Sequence, residues 1–123
     1  MFYEVYNELG NGFLESVYEE AMAIAHAHAG LHVERQKPLK VTFRGIVIGD
    51  FRADVIVERA VILELKAAPA IDPAHEAQLL NYLRATEIEV GLLMNFGPKA
   101  NFRRLVFENS PKEIRVNPRR SAA

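Results

Sequence analysis

Two runs near the N-terminus carry apolar residues at helical spacing, and most of the remaining chain alternates as strands do. Phe2, Val5, Tyr6 and Leu9 share one helix face, and Gly10-Asn11-Gly12 then breaks the run with residues that tolerate positive φ. A second helix is expected over about 13–28, with Leu14, Val17, Ala21, Ile24, Ala25 and His28 as its apolar stripe. Glu15, Tyr18, Glu19 and Met22 fall on an adjoining face, and Ala29-Gly30 ends the helix. Extended segments are expected over 39–43, 46–48, 51–58 and 61–67, with turns at Arg44-Gly45, Gly49-Asp50 and Glu58-Arg59-Ala60. Asp72-Pro73 supplies an N-cap and a first-turn proline for a helix to about Arg84, with Leu79, Leu80 and Leu83 on its apolar face. Ile88 to Phe96 is almost wholly apolar, as in a strand buried on both faces, and 102–107 reads as a last strand. A helix between an antiparallel meander and a later buried strand predicts a crossover. The expected fold is therefore α/β, a central mixed sheet flanked by helices.

The 51–58 and 61–67 hairpin carries the chemistry. Its odd positions are all apolar, so that face is expected to be core. A three-residue loop sets Asp54 opposite Glu64 and Arg52 opposite Lys66 on the even face. Facing carboxylates repel. A hard divalent cation removes that conflict, and Mg2+ favours one or two carboxylates with water and phosphate oxygens. Such an ion polarises a phosphodiester and lowers the pKa of an attacking water. Lys66 points to the same side, where an ammonium steadies a nucleophile or the charge developing on phosphorus. The other reading is a solvent-facing sheet surface on which Glu64 pairs with Lys66 or Arg52.

Three flanking groups stay open at this level. His75, Gln78 and Tyr82 share a stripe of the later helix that faces either this cluster or water. Glu15 is either a third carboxylate for the ion or an exposed glutamate favoured by the helix dipole. His26, His28 and His32 lack metal-ligand spacing and read as surface or packing residues.

The 123 residues, half of them apolar and a quarter charged, suit a single domain over 1–110. No apolar run reaches membrane-spanning length, no signal peptide is evident, and cysteine is absent. A cytoplasmic address without membrane attachment is the default expectation. The net charge of −1 predicts weak non-specific binding to nucleic acid. The charge is uneven, +5 from Lys99 onward and −6 before it. Residues 111–123 are thus expected to form a basic, flexible tail, either a solvated end or a rim beside an acidic site.

Gly12-Phe13-Leu14-Glu15-Ser16-Val17-Tyr18 resembles the Gly-x-x-Glu-x-x-Tyr signature of the GxxExxY protein family. Asp54, Glu64-Leu65-Lys66-Ala67, Gln78 to Leu83, and Val90 to Gly97 are similar to its later blocks in order, so the likeness spans about 9–106. That family is placed in the PD-(D/E)XK nuclease superfamily. The resemblance implies a three-layer restriction-endonuclease-like core. It also implies Asp54 and Glu64 as metal ligands, Lys66 as the catalytic lysine and Glu15 as a helix carboxylate near the metal. Gln78 and Tyr82 match a Gln-x-x-x-Tyr helix motif of its exonuclease-like branch. Two departures stand out: Ala53 replaces the proline of the "PD" pair, and the helix before the Leu9-Gly10 turn is short.

The leading expectation is a Mg2+-dependent nuclease acting on DNA, with Mn2+ able to substitute. The alternative is a non-catalytic module that binds nucleic acid or protein on the same fold. A homodimer or a fused partner would help so small a module grip a duplex. A different hydrolase using His75 as base finds no nucleophile elbow, phosphate loop or zinc motif to support it.

Overall fold

A computed structural model describes residues 1–108. The expected tail over 111–123, with Lys112, Arg115, Arg119 and Arg120, lies outside the described residues. The elements are α1 (Phe2–Leu9), α2 (Glu15–His28), β1 (Val33–Phe43), β2 (Ile46–Val57), β3 (Val61–Lys66), α3 (Pro73–Ala85), β4 (Val90–Asn95) and β5 (Asn101–Val106). The sheet has the order β1-β2-β3-β4-β5. Neighbours are antiparallel except β3 and β4, which run parallel with α3 as the crossover between them. The mixed α/β sheet expected from the element order is present.

Apolar burial divides into two layers. On one face α1 and α2 pack Phe2, Val5, Tyr18 and Met22 against Val55, Leu63, Leu65 and Phe96. On the other, α3 packs Leu79 and Leu83 against Ala53, Ile56, Ile62 and Leu93. The sheet is covered on both sides, which explains why Ile56 and Ile62, on the even face of the hairpin, are fully buried.

Three local expectations are corrected. Residues 46–57 form one continuous strand, so Gly49-Asp50 is not a turn; the pairing with β1 is instead adjusted by a bulge at Val41/Thr42. β1 begins at Val33, earlier than expected, and runs through Pro38, which an edge strand tolerates. The third concerns α2, whose buried face is Tyr18, Glu19, Met22, Ala23 and His26, while Leu14, Val17 and Ile24 are exposed. Tyr18 decides that orientation. Its ring stacks on Phe96 at 4.3 Å, and its hydroxyl donates to the Gly10 carbonyl at 2.6 Å and accepts from the Phe13 N–H at 3.3 Å. His26 is a packing residue, its Nδ1 lying 2.7 Å from the Met22 carbonyl.

Candidate active site

The β2–β3 ladder runs from Val57↔Val61 to Val55↔Leu63. One more step in that register brings Asp54 opposite Glu64, and there the ladder stops. The strands part, and the two carboxylates take the backbone donors left between them. The Asp54 N–H donates to Glu64 Oε2 at 3.0 Å, and the Leu65 N–H donates to Asp54 Oδ2 at 2.8 Å. Each acid thus reaches across to the opposite strand.

Asp54 is also where β2 changes sides. Val55 and Val57 pack toward α1 and α2, whereas Ala53 belongs to the α3 layer and Phe51 stacks on Tyr82 of α3 at 3.7 Å. Simple alternation would put all four on one face, so the single core face expected for the odd positions is corrected. The irregularity has a partner in β1. Gln36, between the pairs Arg35↔Val55 and Lys37↔Ala53, has φ +49, a left-handed value uncommon for a non-glycine residue. Its side chain and its carbonyl are both held. Gln36 Nε2 donates to Glu19 Oε1 at 2.6 Å, and Arg52 Nη1 donates to the Gln36 carbonyl at 3.1 Å. Arg35 completes the cluster by donating to Glu19 Oε2, which makes burial of the Glu19 carboxylate tolerable.

Burial governs the electrostatics of the pair. Glu64 is 7% exposed and Asp54 half-buried. Desolvation, and after it the charge on Asp54, pushes the Glu64 carboxyl up to about 7 from an ordinary 4.5. Desolvation raises Asp54 as well, against the pull of the Leu65 N–H. The Lys66 charge lowers both and the Glu15 charge raises both. Tyr82 is raised by burial first, then by Glu64 and Asp54, which places its hydroxyl within their field.

Lys66 closes β3 half-exposed, and its backbone is fixed from β4: the Phe96 N–H donates to the Lys66 carbonyl at 2.7 Å. The chain beyond it is clamped by Asn95, wholly buried in an otherwise apolar strand. Asn95 Oδ1 accepts from the Ala68 and Gly97 N–H groups, and Nδ2 donates to the Ala68 carbonyl at 2.9 Å. That carbonyl lies where a Cβ on Gly97 would be, 1.8 Å away, so only glycine fits. Sequence reasoning missed the roles of both Asn95 and Glu19. The signals that could have found them are one polar residue near the end of the apolar run Ile88–Phe96, and a glutamate in the stripe of Tyr18 and Met22.

Of the other expected residues, Glu15, at the start of α2, is exposed and accepts from the Ala67 N–H through Oε2 at 3.2 Å. It acts on Asp54 and Glu64 by charge, and its Oε2 ties α2 to the residue after β3. Among the described residues no three of His, Asp and Glu form a group that could hold a metal ion. Gln78 is exposed on α3, and His75 caps that helix, its Nδ1 accepting from the Asp72 N–H at 3.4 Å.

The pair alone fits a divalent cation. Asp54 Oδ1 and Glu64 Oε1 accept no hydrogen bond among the described residues. Two hard oxygens in a setting that penalises their negative charge are a donor set suited to Mg2+ or Mn2+, with water filling the other positions.

A family model for the PD-(D/E)XK nuclease superfamily matches residues 1–105. The fold is similar to the crystal structure of SSO0001, with a TM-score of 0.58 at 15% identity, covering 88% of this chain and 59% of that one. It is also similar to an alkaline exonuclease, LHK-Exo from Laribacter hongkongensis, with a TM-score of 0.56 at 13% identity, covering 83% and 62%. The chain therefore spans about three fifths of either neighbour, and at these identities the likeness establishes the fold alone. No curated protein matches the sequence. Among the described residues, no helix is long and apolar enough to cross a membrane.

Proposed function

Since this chain belongs to the PD-(D/E)XK nuclease superfamily, we propose that Asp54 and Glu64 hold a divalent cation, Mg2+ first and Mn2+ in its place, and that the site hydrolyses phosphodiester bonds of DNA. The observation that carries the proposal is the parted hairpin, which sets two carboxylates face to face, Glu64 buried and Asp54 half-buried, and leaves one oxygen of each without a donor among the described residues. When bound, the ion supplies charge to polarise the scissile phosphate and to lower the pKa of water.

The chain's own residues do the rest. Asp54 and Glu64 are held by each other's strands, so their free oxygens are set before a ligand arrives. Lys66, whose charge already acts on both acids, donates to the attacking water or to a phosphate oxygen as negative charge builds there. Tyr82, fixed by its stack on Phe51, and Gln78, one turn earlier on α3, orient the substrate strand from the α3 side. Glu15 positions rather than ligates: it fixes the backbone just beyond Lys66.

The test is metal-dependent nicking of plasmid and degradation of single-stranded DNA by the purified chain. Activity that needs Mg2+ or Mn2+, and that falls ~100-fold or more in each of Asp54→Asn, Glu64→Gln and Lys66→Met without loss of fold, supports the reading. Cleavage that survives all three substitutions removes it. Binding without cleavage across both metals points to the non-catalytic module.

A further inference from the structure

β1 and β2 outgrow the sheet. β2 pairs with β3 only over Val55–Val57, so among the described residues the stretch from Ile46 to Arg52 has β1 as its sole strand neighbour, and β1 is itself an edge. The result is a two-stranded ribbon whose two edges pair with no other strand among the described residues. Its turn, Arg44-Gly45, has positive φ at both positions, which suits a tight hairpin.

Two features of this ribbon are costly for a free protein. The end is apolar and open to water, with Phe43 54%, Ile46 67%, Val47 52% and Ile48 64% exposed. The shaft is basic, with Lys37, Lys40, Arg44 and Arg52 against Asp50 alone, in a chain of net charge −1. Lys37 is paired with Glu34, but Lys40, Arg44 and Arg52 form no ion pair among the described residues. Lys40 and Arg52 occupy alternate positions that share one ribbon face, and Arg44 sits at the turn, its guanidinium 4.9 Å from the Phe43 ring centre.

We infer that this ribbon is an arm that enters a groove of a nucleic-acid duplex, with Lys40, Arg44 and Arg52 on the flanking phosphates and the apolar tip against base edges. The inference deepens the nuclease reading and rests on it for the substrate, which it narrows to a double strand. The major groove is ~12 Å wide and admits a two-stranded ribbon. Asp54 lies on the same strand, ten residues from Arg44, so the tip reaches ~30 Å from the acid pair. That is about one turn of a duplex. A single strand would be held by several open aromatic platforms, and the arm has one exposed aromatic, Phe43, with the Arg44 guanidinium over its ring. A second copy docked tip to tip would set the same cations against each other.

The experiment measures anisotropy of a labelled 20-base-pair duplex and of the matching single strand, without divalent metal, using the full chain. Parent and Lys40→Gln/Arg44→Gln proteins are compared over a salt series, with Val47→Ser/Ile48→Ser as a second variant. All four positions are exposed, and circular dichroism confirms the fold. The arm predicts that the double charge variant binds duplex at least tenfold more weakly, with the log–log salt slope lower by ~2. The tip variant weakens duplex binding while leaving the slope unchanged, and Arg44→Lys restores the slope. No binding of duplex by the parent, unchanged affinity and slope in the variants, or a larger loss on the single strand each overturns the inference. So does a concentration-dependent dimer in sedimentation that disappears in the tip variant. If no metal supports cleavage yet duplex binding depends on the arm, the nuclease reading fails and the arm stands. If the parent cleaves and the charge variant cleaves duplex with unchanged KM, the arm fails and the nuclease reading stands.

Discussion

Asp54 and Glu64 exchange backbone contacts across a parted pair of strands: the Asp54 N–H donates to the Glu64 carboxylate, and the Asp54 carboxylate accepts from the residue after Glu64. The arrangement holds like charges together in a place that disfavours either charge. Without a cation it is a local weakness, and that weakness can be measured.

Glu64→Gln keeps the shape and an acceptor for the Asp54 N–H while removing the buried charge. Holding Glu64 ionised at pH 8 costs roughly 3 kcal/mol, given a carboxyl moved from 4.5 to about 7. The variant, in EDTA at pH 8, is expected to be about 1–3 kcal/mol more stable than the parent by urea unfolding. At pH 5, where the parent's Glu64 is protonated, the difference shrinks toward zero. A variant less stable at pH 8 would show that the pair is not strained.

The same shift sets the pH dependence of the metal-free parent. A carboxyl raised in the folded state binds more protons there than in the unfolded chain. Its contribution to stability is full below pH 4.5 and is lost as pH rises through about 7. Asp54 adds in the same direction. The urea midpoint in EDTA is therefore expected to fall between pH 5 and 8. Saturating Mg2+ abolishes that fall over the same window, because the ion displaces the protons from the folded carboxylates and the unfolded ones are already ionised. Midpoints that rise with pH in EDTA would contradict this.

Glu19 anchors the backbone across from Asp54. Glu19→Ala removes the acceptor of the Gln36 side chain and one of the two carboxylate partners of Arg35, leaving a residue at φ +49 held by the Arg52 contact to its carbonyl. The cost is expected to be about 1–3 kcal/mol, with affinity for Mn2+ falling at least threefold by calorimetry. Glu19→Gln, which retains an acceptor for Gln36, restores most of the affinity. Equal Mn2+ affinity in parent and Glu19→Ala would reduce Glu19 to a structural role.

Gly97→Ala meets the Ala68 carbonyl, a backbone atom that cannot turn aside. It is expected to destabilise by about 3 kcal/mol or more. Gly91→Ala meets the Leu79 side chain, Cδ1 at 2.9 Å and Cγ at 3.0 Å, and costs less because a side chain shifts more easily than a backbone carbonyl. Thermal unfolding of the two variants ranks them; the reverse order would contradict the packing around Asn95.

The acid pair is legible in the sequence because a three-residue loop fixes register, and register fixes which residues oppose. The crossover is legible from a helix period between a meander and an apolar run. The buried side of α2 is not. Leu14, Val17 and Ile24 make a more apolar stripe than Tyr18, Glu19 and Met22, and only Arg35 and Gln36, 16 and 17 residues further on, make Glu19 fit inside. The change of face at Asp54 is hidden for the same reason, since it depends on a left-handed glutamine in the neighbouring strand. Gly49-Asp50 carries turn residues, yet ten cross-strand pairs between β1 and β2 hold it extended.

Anomalous scattering from crystals grown with Mn2+ tests the central claim most directly. One peak within ~2.2 Å of both an Asp54 and a Glu64 oxygen is the predicted result. The absence of a peak between those two carboxylates at millimolar Mn2+, or a peak touching just one of them, would contradict it.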